Sequence, residues 1–504
     1  MRSIRKLVLH GSVAIAGMVA TPVLAESARC PTPKEVAGGP GNAHTSYVET
    51  NLQPAVIKRG DKPFTLAERM RQYDVPGLSI AVIHNGKIDW ARGWGARNTV
   101  SCAPVTPDTA FQAASISKVA TAMLALRLAG KGRIGLNRNI NDALHSWKLP
   151  VDPTLAPHGV TLGQLLSHTA GLGVHGFIGY APGAPLPTPA QILDGVSPAN
   201  TPAVRSVLPA GAQFEYSGGG YVVTQLALSD VSGMPFEELA QREVFGPLRM
   251  TRSAFAQLPP PAIRANMAFG HENGTPIPGN YLALPELAPA GLWTSAGDLA
   301  RLLMDIQASA AGMQNHRLSP AMTRRMLTPV KDNWGLGVAL YTDKPERFGH
   351  DGVNRGFESF MIAYVGRGDG IVALTNGGQG RRLMDEVVRA VATDYGWPEI
   401  ASPATEEKTL SLAELSKANG RFVGGGLNVV FEARPDGLYA NAGAPIPERL
   451  VALSPTRFRS ESLGVTGEFA PDFSSMTFIE GGPPMKLVRA EATPPATVEA
   501  TRPR

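Results

Sequence analysis

Residues 111–126 read Phe-Gln-Ala-Ala-Ser-Ile-Ser-Lys-Val-Ala-Thr-Ala-Met-Leu-Ala-Leu, and small and apolar residues recur there with helical spacing. They predict a helix that ends near Gly130. Ser115 and Lys118 are separated by nearly one helical turn, so their side chains lie on one face of that helix. A serine is a poor nucleophile until a base takes its proton, and a buried, neutral lysine amine could be that base. The spacing is weak evidence by itself, because Ser3 and Lys6 share it.

Strand and turn signals on both sides of this helix predict an antiparallel sheet. Two strands are joined by Asn85-Gly86, a dipeptide typical of β-hairpins, and the chain returns to strand after a long region of helices and loops at 131–340. The segments are a short helix at Leu66–Tyr73, strands at Leu78–Ile83, Ile88–Trp94, Phe357–Val365 and Ile371–Thr375, and an amphipathic helix at Arg382–Tyr395. The predicted fold class is α/β of the α+β kind, with an antiparallel sheet flanked by helices and a helical subdomain.

A chain of 504 residues is too long for one ordinary domain, and two or three are expected. Short alternating segments separated by turns such as Pro435-Asp-Gly437 predict a small C-terminal antiparallel β domain. The expected organisation is a signal peptide at 1–25, an N-terminal extension at 26–54, the main domain at 55–397, a linker at 398–409, the β domain at 410–490 and a disordered tail at 491–504.

The N-terminus has the pattern of a secretory signal. Three basic residues among the first six precede an apolar run from Leu7 to Leu24, and small residues predict cleavage after Ala25. An uncleaved membrane anchor is the alternative, although His10 and Gly11 interrupt the run and its length is marginal for a bilayer span. Cleavage predicts a periplasmic or secreted protein with no stable membrane insertion.

The predicted export bears on whether the two cysteines form a disulfide. Cys30 and Cys102 would meet an oxidising compartment, where a disulfide can persist. Two unpaired thiols are the alternative, and the sequence leaves both open.

Two more segments accompany the Ser115–Lys118 pair. Residues 214–221 read Phe-Glu-Tyr-Ser-Gly-Gly-Gly-Tyr, and residues 349–353 read Gly-His-Asp-Gly-Val at the opening of a predicted strand. With them, the chain resembles the serine β-lactamase and penicillin-binding protein superfamily, whose signature is Ser-x-x-Lys, a middle triplet and Lys-Thr-Gly. Tyr216-Ser-Gly218 and His350-x-Gly352 resemble its class C β-lactamase-like branch, which includes D,D-peptidases, D-aminopeptidases and family VIII-type esterases. The resemblance covers roughly residues 55–397, and residues 165–172, 291–299 and 334–337 also look like the family.

The resemblance implies a β-lactamase/transpeptidase-like fold and a role for each motif. Ser115 would be the acylated nucleophile, and Lys118 and Tyr216 would share the proton transfers, with base and relay unassigned. The amides of Ser115 and Val353 would form the oxyanion hole. The remaining residues would bind substrate: Gly352 would let the strand approach it closely, and His350 would face its carboxylate or its leaving side.

Two departures from the family pattern bear on specificity. Gly218 stands where many relatives have an asparagine that would offer its amide to the substrate's acyl side chain. His350 stands where β-lactamases usually have lysine, and a neutral imidazole attracts a carboxylate less than an ammonium does. An unperturbed histidine titrates near pH 6.5, so His350 is expected to bind carboxylates better in mild acid.

Several function classes find no support in the sequence. The net charge is +5, of which three charges belong to the first 25 residues, and no dense basic run indicates nucleic acid binding. No cofactor is expected, and His168 and His175 stand outside any metal-binding spacing, so His168 is expected to orient its loop. No Gly-x-Ser-x-Gly elbow occurs, which disfavours an α/β-hydrolase. An exported serine hydrolase acting on a small-molecule or peptide substrate is favoured, and the alternative is a non-catalytic peptidoglycan- or peptide-binding protein of the same fold.

Overall fold

The computed structural model describes residue 30 and residues 41–342, 345–401, 405–424, 427–444, 446–462, 464–478 and 485–490. Contacts divide the chain into two compact units. Of the described residues, the larger comprises 30, 41–52 and those between Pro63 and Ile400, and the smaller comprises Gln53–Lys62 and those between 401 and 490. The predicted signal peptide at 1–25 and the predicted tail at 491–504 lie outside the described residues, and the predicted domain boundaries stay predictions.

The larger unit contains runs of strands separated by runs of helices along the chain. Its helices are α1 (Ala43–Thr50), α2 (Leu66–Gln72), α3 (Ser117–Gly130), α4 (Leu162–Leu166), α5 (Pro189–Asp194), α6 (Gly218–Ser232), α7 (Phe236–Ala240), α8 (Pro261–Arg264), α9 (Leu287–Ala290), α10 (Ala296–Ala310), α11 (Pro320–Met326) and α12 (Gly380–Asp394). Its strands are β1 (Gly77–His84), β2 (Lys87–Asn98), β3 (Ala103–Pro104), β4 (Phe111–Gln112), β5 (Ala254–Phe255), β6 (His271–Glu272), β7 (Thr275–Pro276), β8 (Leu292–Thr294), β9 (Ala339–Tyr341), β10 (Arg347–Asn354), β11 (Phe357–Tyr364) and β12 (Gly370–Thr375).

A seven-stranded antiparallel sheet forms the centre of this unit, in the order β3-β2-β1-β12-β11-β10-β9. Strands β11 and β12 are buried along their whole length, as is β1 up to its last residue, so both faces of the sheet are covered. Helix α10 packs on β1 and β12, and α12 packs on β11 and β12. The predicted antiparallel sheet flanked by helices is confirmed.

Helix α3 is the buried centre of the helical subdomain. Apart from its last turn and Arg127, its residues are buried against α6, α9 and the neighbouring turns. The predicted end near Gly130 is confirmed. A three-stranded sheet in the order β4-β8-β5 adjoins α3 and was not predicted, because strands of two or three residues are too short to show an alternating pattern.

The smaller unit is a closed antiparallel barrel of eight strands, with one short helix, α13 (Leu412–Ser416). The strands are β13 (Gly420–Gly424), β14 (Leu427–Arg434), β15 (Gly437–Asn441), β16 (Glu448–Ala452), β17 (Arg457–Ser460), β18 (Thr466–Phe469), β19 (Ser475–Phe478) and β20 (Met485–Arg489). Phenylalanines fill its interior, among them Phe422, Phe431, Phe458 and Phe469. The predicted C-terminal antiparallel β domain is confirmed.

Residues 53–62 belong to the same compact unit as the barrel, and the predicted start of the main domain at residue 55 stays a prediction. The amide of Val56 donates to the carbonyl of Glu461 at 3.0 Å, and Lys58 forms a 2.8 Å ion pair with Glu407. These partners are some 350–400 positions away in the chain, which is why sequence patterns gave no sign of them.

Cys30 and Cys102 form a disulfide, with 5.4 Å between their Cα atoms. It ties residue 30 to the turn that follows β2. Among the described residues, no helix has the length and apolar character required to cross a membrane.

Candidate active site

Ser115 lies in a tight turn between a short strand and a helix. Strand β4 pairs with β8, and the amide of Ala113 donates to the carbonyl of Leu292 at 2.9 Å. Ala114 then adopts a φ of 48°, in the left-handed region that costs a residue with a Cβ about 1–2 kcal/mol. A 3₁₀ turn at Ala114–Ile116 leads directly into α3. Ser115 is partly exposed at this kink, whereas the residues on both sides of it are buried.

Strand β10 packs against this turn at Gly352. A Cβ on Gly352 would lie 2.4 Å from the carbonyl oxygen of Ala113 and 2.8 Å from the amide nitrogen of Ser115. The sequence assigned Gly352 to close approach of the substrate, but the first atoms that a side chain would meet belong to the protein itself. Residue 353 follows Gly352 in β10, and the Val353 side chain is exposed. The joint role of the Ser115 and Val353 amides as an oxyanion hole stays a prediction.

Lys118 points back along α3 to the Ser115 hydroxyl. Its Nζ donates to Ser115 Oγ at 3.0 Å and to the carbonyl of Pro289 at 2.9 Å, and the residue is buried. Burial lowers the pKa of Lys118 to about 7, and the negative charge of Asp351 opposes this shift. The amine is therefore a mixture of neutral and charged forms at neutral pH, as a base for serine requires.

Tyr216 is a second side chain in contact with Ser115. The Nζ atom of Lys118 lies 4.9 Å from the centre of the Tyr216 ring. Burial raises the pKa of Tyr216 well above its usual value, a hydrogen bond with the Ser115 side chain opposes this rise, and the charge of Asp351 adds to it. The phenol therefore keeps its proton at neutral pH. The structure brings Ser115, Lys118 and Tyr216 together.

Gly218 follows Tyr216 at the first turn of α6. Ser217 caps this helix, because its Oγ accepts from the amide of Gly220 at 3.0 Å. A Cβ on Gly218 would lie 2.9 Å from Cε2 of Phe177 and 3.0 Å from the carbonyl oxygen of His175. The segment at 175–177 therefore fills the space into which a larger residue at 218 would extend.

His350 is buried, which changes its expected charge. Its Nδ1 hydrogen bonds to the carbonyl of Asp351, and its Nε2 is buried with no hydrogen-bond partner among the described residues. The ring packs edge-on against Trp334 at 5.3 Å. Burial lowers the pKa of His350 to about 4; Asp351 raises it and Lys118 lowers it. The expectation of titration near pH 6.5 is therefore wrong, because desolvation disfavours the imidazolium.

An ion pair behind the site was missed in the sequence. Arg381, in the first turn of α12, contacts Asp351 at 2.8 Å and Asp385 at 2.8 Å. Asp351 is the acid that acts on the pKa of Lys118, Tyr216 and His350. Thirty positions separate Asp351 from Arg381, so no local signal could have paired them.

His168, which was expected to orient its loop, lies under Tyr216. Its ring is stacked on the Tyr216 ring at 4.2 Å, and its Nδ1 accepts from the amide of Ser217 at 3.0 Å. In the part of the chain that the structure describes, no three His, Cys, Asp or Glu side chains are placed to hold a metal ion.

Comparison with known proteins agrees with this fold. The family model described as Beta-lactamase matches residues 65–393. "Penicillin-binding protein 4" of Amycolatopsis lactamdurans is 28% identical over 367 residues, which cover 68% of this chain and 93% of that protein.

Solved structures resemble most of the chain in fold. The octameric penicillin-binding protein homologue from Pyrococcus abyssi matches with a TM-score of 0.56 at 22% identity, over 83% of this chain and 97% of that chain. The D-amino acid amidase from Ochrobactrum anthropi SV3, complexed with L-phenylalanine amide, matches with a TM-score of 0.52 at 20% identity, over 66% of this chain and 97% of that one.

Proposed function

The chain belongs to the Beta-lactamase family, and on that premise we propose that it is a serine hydrolase that cleaves ester or amide bonds through an acyl-enzyme on Ser115. One observation carries the proposal: a buried lysine, whose pKa is lowered to about 7, donates to Ser115 Oγ at 3.0 Å. A non-catalytic binding protein would have no need of a nearly neutral lysine on a serine hydroxyl, so that alternative is disfavoured.

For the acylation step, we propose Lys118 as the base and Tyr216 as the relay. The neutral Lys118 amine takes the proton as Ser115 Oγ attacks the carbonyl carbon of the substrate. Tyr216 is protonated at neutral pH because burial raises its pKa, so it can donate to the leaving alkoxide or amine as the bond to carbon breaks. The proton that Lys118 took from Ser115 then passes to Tyr216, replacing the one given to the leaving group. The amides of Ser115 and Val353 stabilise the oxyanion.

Deacylation repeats these steps with water. Lys118 is neutral again once Tyr216 has its proton, and it accepts a proton from the attacking water. The ester bond to Ser115 Oγ breaks, Oγ takes the proton that Lys118 accepted from the water, and the carboxylic acid leaves. Both half-reactions therefore use Ser115 and Lys118, and acylation also uses Tyr216.

Two features support neutral, small-chain substrates. Gly218 has no side-chain donor, and Phe177 occupies the space beside it. The His350 imidazole is uncharged at neutral pH, so it offers a substrate carboxylate no opposite charge. We therefore place short-chain esters and small amides first and cephalosporins last. The likeness to a D-amino acid amidase keeps D-amino-acid amides among the candidates. D-alanyl peptides stay among them through the resemblance of the motifs to those of D,D-peptidases.

The proposed location is the periplasm or the exterior of the cell. The signal pattern with cleavage after Ala25 predicts export. The Cys30–Cys102 disulfide supports it, because such bonds persist in oxidising compartments.

A side-by-side assay tests the proposed activity. p-Nitrophenyl acetate and butyrate, a chromogenic cephalosporin and a D-alanyl peptide would be compared at pH 7.5, with Ser115→Ala as the blank. We expect hydrolysis of at least one class, strongest for the esters and absent in Ser115→Ala. Equal rates for the protein and its Ser115→Ala variant on every substrate would reject the proposal.

A further inference from the structure

His168 holds the backbone on both sides of Tyr216. Its carbonyl accepts from the amide of Glu215 at 2.7 Å, and its Nδ1 accepts from the amide of Ser217 at 3.0 Å. Between these two bonds, its ring is stacked on the Tyr216 ring at 4.2 Å with an interplanar angle of 27°. One residue therefore fixes the residue before Tyr216, the residue after it and the ring itself.

The conformation of His168 is unusual and firmly held. Its φ is 57°, in the left-handed region that residues with a Cβ rarely adopt. The next residue, Thr169, accepts from the amide of Gly211 at 2.7 Å and donates its own amide to Gln164 at 2.9 Å. Such strain persists where the surroundings over-determine it, and it is common next to active sites.

The hydrogen bonds of His168 define its protonation state. Because Nδ1 accepts from Ser217, the ring proton is on Nε2. An imidazolium would turn Nδ1 into a donor facing another donor, and it would add a positive charge near Lys118. His168 is buried, which also favours the neutral ring. The neutral tautomer thus matches the contact with Ser217, while Nε2 is buried without a hydrogen-bond partner among the described residues.

We propose that His168 is a positioning residue of the hydrolase: its ring and its two backbone hydrogen bonds keep the Tyr216 hydroxyl in reach of Ser115. The inference rests on the proposed function, because it assigns His168 an effect through Tyr216 and no contact with substrate. A shift of about 1 Å in a catalytic group can cost about 100-fold in rate, so loss of this support should show in turnover.

Two variants at residue 168 separate positioning from simple packing. His168→Ala removes the acceptor and the stacked ring. His168→Asn keeps an acceptor oxygen, and asparagine tolerates positive φ. We expect His168→Ala to lower kcat by about 10–100-fold with KM nearly unchanged, and His168→Asn to lose less. His158→Ala, at an exposed histidine, serves as the matched control and should behave as the parent protein.

A double-mutant cycle with Tyr216→Phe tests whether His168 acts through Tyr216. If it does, His168→Ala should cost little further activity in the Tyr216→Phe background, because the hydroxyl that it positions is already gone. If His168→Ala lowers kcat in the Tyr216→Phe background by the same factor as in the parent protein, the inference is overturned. It is also overturned if the single variant His168→Ala keeps the kcat of the parent protein. Should His168→Ala fail to fold, as thermal unfolding would show, the same cycle is run with His168→Asn, and a full additive loss there would equally overturn it.

The rate of labelling by a fluorophosphonate probe separates failure of this inference from failure of the proposed function. No labelling of the parent protein at Ser115 rejects the serine hydrolase itself. Labelling of the parent, together with an equal labelling rate in His168→Ala, leaves the hydrolase intact and rejects the role of His168. Slower labelling of His168→Ala, with partial recovery in His168→Asn, supports both.

Discussion

The Nζ atom of Lys118 lies 3.0 Å from Oγ of Ser115, and the same ammonium or amine is held by the carbonyl of Pro289 at 2.9 Å. The lysine is buried, and the acid that opposes its loss of charge, Asp351, is shared with Arg381. This arrangement gives a lysine with a lowered pKa pointed at one hydroxyl. The proposed reaction depends on this contact between Lys118 and Ser115.

Replacement of Lys118 should be damaging even when positive charge is retained. A guanidinium cannot release its proton, so Lys118→Arg should lower kcat/KM on an ester about as much as Lys118→Ala, by about 10²–10⁴-fold. Lys87→Arg, at the exposed lysine that begins β2, is the control and should keep the parent rate. Near-normal rates in Lys118→Arg would exclude lysine as the base.

The same lowered pKa predicts the acid limb of the pH profile. Below about pH 7 the Lys118 amine is protonated and cannot act as a base, so kcat/KM for a neutral ester should rise with pH and level off above it. The slope should approach about tenfold per pH unit at the acid end. A flat profile between pH 5.5 and 8 would contradict the assignment.

Substitution at Gly218 alone should not create a better β-lactamase. The Cβ of an asparagine there would lie 2.9 Å from Phe177 and 3.0 Å from the His175 carbonyl, so Gly218→Asn should lower the unfolding temperature. Phe177→Ala removes the aromatic neighbour, and the double variant should regain stability relative to Gly218→Asn. Cephalosporin and ester turnover would be compared in all four proteins. We expect the cephalosporin efficiency of the parent to stay far below about 10⁷ M⁻¹s⁻¹, and improved cephalosporin turnover in Gly218→Asn alone would argue against the role of Phe177.

The His350 side chain should not change its charge in the pH range where an ordinary histidine titrates. Because burial lowers its pKa to about 4, the ratio of D-alanyl peptide to ester efficiency should stay constant between pH 5.5 and 7.5. The ratio cancels what Lys118 and Tyr216 contribute to both substrates. His350→Lys should raise the ratio at neutral pH if its ammonium reaches the carboxylate side. A ratio that changes about tenfold across this range in the parent and is flat in His350→Ala would show a charged His350.

Glu286 should make the protein less stable as the pH rises. It is fully buried, neither of its carboxylate oxygens has a hydrogen-bond partner among the described residues, and burial raises its pKa from 4.5 to about 7. The folded state therefore holds this proton more tightly than the unfolded state, and stability falls as pH rises from about 4.5 to 7, by up to about 3 kcal/mol. Unfolding by urea at pH 5 and pH 8 should show a smaller loss in Glu286→Gln than in the parent. Glu238→Gln, at an exposed position, is the control, and equal losses in all three proteins would refute this role.

The elements predicted from sequence are those with a long, regular pattern. The β1–β2 hairpin has apolar runs around Asn85-Gly86, and α3 has small and apolar residues at helical spacing over 14 residues. Each of these patterns lies within one short stretch of sequence, so it can be recognised without knowledge of the fold. The barrel was predicted as a β domain, but its closure was not, because closure depends on the pairing of β13 with β20, which lie far apart in the chain.

The features of the site that were missed depend on residues far apart in the chain. Nothing in the sequence indicates that Ala114 has a positive φ, since this conformation is imposed by the contacts of β8 and β10 with the turn. His168 lies in a stretch that resembled the family, yet its partner Ser217 is 49 positions away. The charge of His350 could not be inferred, because the burial that lowers its pKa is a property of the fold.

The most direct test of the central claim is the intact mass of the protein after reaction with a fluorophosphonate, followed by peptide mapping. We expect one added phosphonyl group, carried by the peptide that contains Ser115, and no addition in Ser115→Ala. We also expect Lys118→Arg to be labelled far more slowly than the parent protein. Labelling at another serine, or undiminished labelling of Ser115→Ala, would contradict the assignment of Ser115 as the nucleophile.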